Sequence, residues 1–317
     1  MGEVPRVRSV LNQFGGYCHT NTCTDGQFYE MGNLSARDAP LLRPRKQRGT
    51  IRQFSQPWGL FGREKLCWVD GTDFYYNGFL VGTVEASEKQ FVGMGAYLLI
   101  WPDKKYYNIQ TGEFGDLGAS FTSDGSVGFT LSKQDGTAYE GYTASAEPPE
   151  SPENGALWLD TSQTPHVLKE YASSGRMWVE IATTYVKISF ANLGKLFQQY
   201  DGVTVSGCTG TAKGLNGSCV IQSQGDDWIV IPGVLDTAYE QSEPVTIARE
   251  IPDMEFLTES ENRVWGCSSK KNEIYACKLG DPTNWNCFEG ISTDSYAATL
   301  GSDGAFTGAC THLGYVL

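Results

Sequence analysis

At 317 residues the chain is long enough for one large all-β domain or two to three smaller ones. A charged fraction of only 19%, with 37 Gly, 16 Tyr, 15 Phe and 8 Trp, favours Gly-punctuated, half-buried strands over amphipathic helices. No run approaches 18 consecutive apolar residues and MGEVPRVRSV has no apolar signal core, so neither a membrane span nor export is expected.

The net charge of −13 is unevenly spread. Residues 1–65 hold ten Lys/Arg against five Asp/Glu, a balance of +5, and the remaining 252 hold fourteen against thirty-two, a balance of −18. A basic arm on an acidic body points to docking of the arm on something acidic, a neighbouring copy or nucleic acid, while the body repels polyanions. The plainer reading is that Arg43, Arg45, Lys46, Arg48 and Arg52 solvate an extended segment.

Residues 1–60, with Gly15, Gly16, Gly26, Gly32, Pro40, Pro44 and Pro57, show neither helical nor sustained alternating periodicity. They read as an extended arm with short strands. From Leu60 to about Gly115 hairpin follows hairpin: LCWVD, FYYNG, FLVGTVE, FVGMGAYLLIWP and KYYNIQTGEFG, with turns at Gly71 and at Asp103–Lys104. The stretch from Gly118 to Thr143 is Ser/Thr/Gly-rich, and Ala144 to Glu153 (ASAEPPESPE) reads as a Pro/Glu linker in loop conformation. GALWLDTS, HVLKEYAS and MWVEIATTYVKISF then form a three-strand meander, followed by VTVSGC, SCVIQS and DWIVIPG. Asn192 to Tyr200 is the one helical candidate. Residues 116–247 thus read as one or two small β modules inserted between strands of a larger unit.

The last quarter returns to hairpins. Val264 and Trp265 lead into a polar turn from Ser268 to Asn272, and Ile274, Tyr275 and Ala276 lead out. The corner Gly280-Asp281-Pro282-Thr283-Asn284-Trp285 must then stop the strand, because Pro282 has a fixed φ and no N–H, and Gly280 and Asn284 tolerate turn geometry. Leu66, Trp68, Phe74, Tyr75 and Tyr76 parallel Val264, Trp265, Ile274 and Tyr275, a weak repeat that is the mark of propeller blades. Two to three blades' worth of sequence is fewer than the four a closed ring needs, so an incomplete propeller is expected, with further sequence completing the ring.

Catalytic patterns are thin. His19, His166 and His312 lie in separate segments without a G-x-S-x-G partner, and Gly210 to Gly214 lacks the Gly-Lys-Ser/Thr ending of a phosphate loop. Asp70 with Asp73 and Asp226 with Asp227 read as turn residues rather than a glycosidase pair. Ser123-Asp124-Gly125 and Ser302-Asp303-Gly304 have the form of sialidase Asp-turns without the closing Trp. The nine cysteines are odd in number and dispersed, and are read as reduced. Cys267, Cys277 and Cys287 suit strand interiors, and Cys18, His19 and Cys23 have no second ligand pair at zinc-like spacing. No enzyme, metal or cofactor is expected.

Four strings together carry a resemblance: GGYCHTNTCTDGQFYEMGNLSARDAPLLRPRKQRG, FVGMGAYLLIWPDKKYYN, NGALWLDTSQTPHVLKEYASSGRMWVEIATTYV and NRVWGCSSKKNEIYACKLGDPTNWNCFEG. They resemble virion structural proteins of phages and prophages of Gram-positive bacteria. These are similar in plan to the tail-nozzle and packaged-DNA-stabilisation β-propellers of short-tailed phages. The resemblance implies a virion protein of the tail or head-to-tail junction, made in the bacterial cytoplasm and assembled with identical copies as a ring. Other tail or connector proteins would be its neighbours, and packaged DNA would pass without sequence-specific contact.

The expected fold is therefore all-β: a partial β-propeller with inserted small β modules and an extended N-terminal arm. Trp68, Trp101, Trp265 and Trp285 are expected to anchor blade hairpins, and Gly280, Asp281, Pro282 and Asn284 to form the corner. The cluster Arg43, Arg45, Lys46, Arg48 and Arg52 would dock the arm. Two other classes remain open. A carbohydrate-binding or depolymerising adhesin would need Trp158, Trp178 or Trp228 exposed, and a cellular propeller scaffold would form no ring.

Overall fold

The computed structural model describes residues 8, 10, 12–35, 37–38, 41–301 and 304–317. It is all-β, 43% strand and 3% helix, and contains many small, mostly antiparallel sheets. Two compact units divide it, Met1–Phe54 and Ser55–Leu317. Among the described residues no helix is long and apolar enough to cross a membrane.

Among its described residues the first unit contains two minimal sheets. Strands β1 (Gly16–Tyr17) and β2 (Gln27–Phe28) pair in parallel, and β3 (Leu34–Ser35) pairs antiparallel with β4 (Arg43–Pro44). His19 lies between the rings of Tyr17 and Tyr29, at 5.8 and 4.4 Å. Residues 41–53 are exposed almost throughout, and Ile51 is fully so.

The second unit begins with two complete four-stranded meanders. The first is β5 (Pro57–Arg63), β6 (Lys65–Asp70), β7 (Asp73–Tyr76) and β8 (Phe79–Thr83); the second is β9 (Gln90–Met94), β10 (Tyr97–Trp101), β11 (Lys105–Asn108) and β12 (Phe114–Asp116). After a long insertion the third follows: β26 (Phe256–Ser260), β27 (Arg263–Ser268), β28 (Glu273–Ala276) and β29 (Tyr296–Thr299). A hairpin of β30 (Thr311–His312) and β31 (Tyr315–Val316) comes last.

The three meanders stack face to face because β10 is apolar at consecutive positions. Successive side chains on a strand point to opposite faces, so Leu98 and Ile100 meet Cys67, Val69 and Phe74 of the first meander. Leu99 and Trp101 meet Leu257, Val264, Tyr275 and Trp285 of the third. Leu98, Leu99 and Ile100 are wholly buried, each contributing roughly 1.5–3 kcal/mol by leaving water. The seam between third-meander strand and connector is tight: a Cβ at Gly266 would collide with the Met254 side chain.

A buried ion pair pins the first two meanders. The Lys89 ammonium, in a side chain with no exposed surface, lies 2.5 Å from Asp103, whose side chain is 2% exposed. Lys89 also donates to Ser87 Oγ at 2.9 Å, and the second Asp103 oxygen accepts from Glu85 N at 2.6 Å.

The insertion lies between the second and third meanders. It contributes β13 (Ala119–Thr122), β14 (Val127–Ser132), β15 (Thr143–Ser145), β16 (Leu157–Asp160), β17 (Val167–Ala172), β18 (Met177–Glu180) and β19 (Tyr185–Ser189). It continues with β20 (Gly202–Ser206), β21 (Gly217–Val220), β22 (Ser223–Gly225), β23 (Trp228–Pro232), β24 (Tyr239–Gln241) and β25 (Thr246–Arg249). Its sheets run β13-β25-β20-β21, β22-β23-β19-β14-β24 and β15-β16-β17-β18. All three feed one core that includes Phe129, Leu159, Leu168, Ile188, Val205 and Ile247. The first and last strands pair, with Ala119 opposite Arg249, so the segment leaves and returns at one place.

Three expectations change. Part of the expected linker is strand: Ala144 and Ser145 belong to β15, parallel to β16, where Ser145 O accepts from Trp158 Nε1 at 3.0 Å. The helical candidate Asn192 to Tyr200 is only a 3-10 turn, Leu193–Leu196. Trp265 is not a buried anchor: Val264, one residue earlier, takes the inward face, so Trp265 points away from the stack and is half-buried against Tyr296 at 6.2 Å. No closed ring of sheets is present among the described residues.

Trp285→Ala is accordingly expected to destabilise the protein by about 3–5 kcal/mol and Trp265→Ala by less than about half of that, compared by denaturant unfolding. Equal losses would mean that Trp265 is packed as tightly as Trp285.

Candidate functional site

Corner and insertion meet at one buried carboxylate. Asp201, with no exposed surface, takes an ion pair from Arg249 Nη1 at 2.7 Å and a hydrogen bond from Gln198 N at 2.9 Å on one oxygen. Its other oxygen accepts from Asn284 Nδ2 at 3.1 Å. Arg249 also reaches Leu117 O at 3.4 Å, so β25, the loop before β20 and the 280–285 corner converge on this group. A backbone seam runs beside it: Gly202 N donates to Asn286 O at 2.7 Å and Phe288 N to Tyr200 O at 2.9 Å.

The corner has the right local chemistry to present Asn284. Gly280 sits at φ +79°, where a side chain would be strained. Asp281 Oδ1 accepts from Thr283 N and Thr283 Oγ1 at 3.0 and 2.6 Å, closing an Asx-turn. Pro282 supplies its carbonyl to Trp285 Nε1 at 3.0 Å, and Asn284 Oδ1 accepts from Asn286 N at 2.9 Å. Trp285 is then directed onto Trp101, with ring centroids 5.8 Å apart. The structure thus brings together Gly280, Asp281, Pro282, Asn284, Trp285 and Trp101. Trp68, 5% exposed, lies on another sheet and stacks on Tyr75 at 5.3 Å, and Trp265 stands outside the group.

An open cleft of about 960 Å³ flanks the seam, lined by Asp116, Ser120, Thr204, Glu250, Asp253 and Phe288 among others. Two of its carboxylates, Asp116 and Asp253, are paired with lysines. Asp116 lies 2.5 Å from Lys105, and Asp253 lies 2.6 Å from Lys104, whose hydrogen bond keeps the Asp253 carboxyl below the usual carboxylate range. A general acid needs the opposite shift.

The other sequence candidates serve as clasps. Asp70 Oδ1 accepts from Ser55 N and Gln56 N, and Asp227 Oδ1 from Asn192 N at 2.7 Å. Gly210 to Gly214 is part of a 3-10 turn, Gly210–Leu215, and His166 Nδ1 lies 2.6 Å from Asp236. Ser123 Oγ accepts from Val245 N at 2.9 Å, while Ser302 and Asp303 of the second Asp-turn lie outside the described residues. The described cysteines are free thiols, with Cys67, Cys208, Cys267, Cys277 and Cys287 buried. Among the described residues no cluster of three or more His, Cys, Asp or Glu could hold a metal ion.

In the arm, Arg43 lies 3.5 Å from Asp38, and Arg45 donates to Asn33 Oδ1 at 3.4 Å. Lys46 and Arg48 are exposed, as is Arg52.

For glycan stacking the tryptophans are poorly presented. Trp158 is 5% exposed, sits under Lys169 at 4.9 Å and meets Trp178 edge-on at 5.3 Å; Trp228 is half-buried under Lys187 at 4.6 Å. Asp160 on the same sheet face is saturated by Lys169, Ser162 and Gln163, and the Lys169 hydrogen bond leads in driving its carboxyl far below the usual range.

The pairings of Asp201, Arg249, Lys89 and Asp103 had no signature in the sequence, since their partners lie up to 132 residues away. Neither a family model nor a curated relative matches the chain.

Asp201→Ala should cost about 3–5 kcal/mol in denaturant unfolding, because it strands Arg249 as an unpaired buried cation. Loss of less than about 1 kcal/mol would show the seam holds without the carboxylate. The depressed Asp160 pKa contributes stability that is present above the unfolded value near about 4 and is lost as pH falls. The Tm deficit of Asp160→Asn should therefore shrink on acidification below that value, and a constant deficit would remove Asp160 from the acid transition.

Proposed function

We propose that the chain is a non-catalytic structural component of a phage virion, at the tail nozzle, tail hub or head-to-tail junction. It assembles with identical copies as a ring around the DNA path. The observation that carries this reading is the face-to-face stack of three four-stranded meanders, the way blades of a β-propeller pack, with a separately cored module hung from the third. In these terms the fold is a partial propeller with an inserted β module and a basic arm.

Charge supports the same reading. An acidic body allows a polyanion to pass without sticking, while the exposed cations of residues 43–52 suit an acidic neighbour. Two acids of the cleft, Asp116 and Asp253, are tied to lysines, which suits a structural role. The resemblance in the four sequence strings gives the virion setting.

Electron microscopy and native mass of the purified protein are expected to give closed rings with a single dominant copy number. A protein that stays monomeric at every concentration tested would overturn the ring. Reversing Arg43, Arg45 and Arg48 to Glu should impair assembly while leaving the melting of the body unchanged, and wild-type assembly by that variant would remove the arm from the contact.

A further inference from the structure

Two thiols of the first unit are brought together by the loop that joins β1 to β2. Parallel strands need a return path between them, and residues 18–26 make it as a tight curl. Backbone bonds hold the curl: Gly15 N donates to Gly26 O at 2.7 Å, Cys18 N to Phe28 O at 3.0 Å and Gln27 N to Thr24 O at 3.0 Å. Gly26, at φ +91°, takes a turn that a side chain would strain. The curl lays Cys23 back on Cys18. Cys23 Sγ donates to Cys18 O at 3.1 Å and to Thr20 O at 3.6 Å, while Cys18 Sγ lies 3.0 Å from Thr20 Oγ1. Cys23 is exposed and Cys18 half-buried, whereas Cys67, Cys208, Cys267, Cys277 and Cys287 are buried.

We propose that Cys18 and Cys23 are a reversible modification site, a dithiol that reacts with small-molecule disulfides and closes to an internal disulfide across the loop. Reactive cysteine pairs combine an accessible attacking thiolate with a second thiol poised to resolve the first adduct, and the loop supplies both. Among the described residues no third ligand joins the two thiols as a metal site would need.

The ionisation of the two thiols assigns the roles. Cys18 is lowered from its ordinary value, chiefly by the Thr20 hydroxyl and then by the Thr20 backbone and the Cys23 thiol. Cys23 is raised, by desolvation first and by Cys18 second. Burial pushes Cys67 up to about 12 and Cys208, Cys219 and Cys277 up to about 11, which keeps those thiols inert. Cys18 therefore attacks. With oxidised glutathione as the disulfide, the Cys18 thiolate bonds to one glutathione sulfur, the glutathione S–S bond breaks and the first glutathione thiolate leaves. Cys23, giving its proton to solvent, then attacks the Cys18 sulfur and displaces the second. The two protons lost by the cysteines end on the two glutathione thiols, so the pair is oxidised by two electrons and one glutathione disulfide is reduced. Excess reduced glutathione runs the same steps backwards.

The test mixes the reduced, folded full chain with oxidised glutathione, quenches with acid, alkylates, and maps every cysteine by peptide mass spectrometry. Cys18 and Cys23 should lose their thiols together and appear as one internal disulfide, while the five buried cysteines remain free. Cys23→Ser should stop at the mixed disulfide on Cys18, and Cys18→Ser should leave Cys23 a free thiol. Guanidinium-unfolded chain should close the pair more slowly than folded chain. Glutathione that stays attached to the wild-type protein at these positions, a preferred bond from either cysteine to Cys310 or to a second chain, or free Cys18 and Cys23 beside a modified Cys310 would overturn the site. So would a Cys23→Ser variant that gathers no adduct, or closure as fast in the unfolded chain, which would leave sequence proximity as the cause. Should a serine disturb the loop, the wild-type map and its unfolded control still decide. Failure here leaves the ring assembly standing, and a monomeric protein leaves the dithiol standing.

Discussion

The arrangement of the larger unit depends on a single carboxylate out of water. An ionised group that has lost its hydration must find charge and hydrogen-bond donors in fixed positions, and Asp201 finds them on Arg249, Gln198 and Asn284. Those partners come from the closing strand of the insertion, the loop ahead of β20 and the corner of the third meander. Satisfying one residue therefore fixes how module and stack meet. An apolar plug of the same size could match the pair in stability, because desolvation consumes much of the Coulomb gain, but it would not impose the same directions.

The stack itself is held by a less directional force. Apolar rows would tolerate small slides, and polar pins restrict them. Lys89 and Asp103 fix the first seam at one point. Arg263 plays a related part at the third meander, donating to the carbonyls of Cys277, Ser292 and Asp294 at 2.6–2.8 Å and holding the long connection around the corner against β27. Hydrophobic burial supplies most of the energy, and these few charged groups select which packed arrangement receives it.

The meanders were legible because their signals are local. Alternation, turn residues and the unbroken YLLIW run of β10 all lie within a few residues of one another. The corner was legible for the same reason: Gly280, Asp281 and Pro282 act on their own backbone. Parity was not legible. Alternation separates Val264 from Trp265 but does not say which face another sheet will cover, and the bulkier residue was assigned inward when the smaller one is. Sheet order in the insertion was hidden as well, since β14 pairs with β19 and β24 across intervening strands, and β13 waits for β25. The parallel strand β15 lay inside a Pro/Glu-rich stretch whose composition argues for loop. Asp201 was invisible because nothing near it in sequence distinguishes it from a surface aspartate.

The pairing of Ala119 with Arg249 has a further consequence for how such a chain can change. With its ends hydrogen-bonded to each other, the insertion presents itself to the stack as a short link between β12 and β26 rather than a long excursion. Closure entropy grows only slowly with length, and here it is met inside a module that has its own core. Such a segment behaves as a cassette on a hinge-free mount. It can lengthen, shrink or be exchanged for another β module while the meanders keep their register, provided the replacement offers a carboxylate where the corner asparagine points.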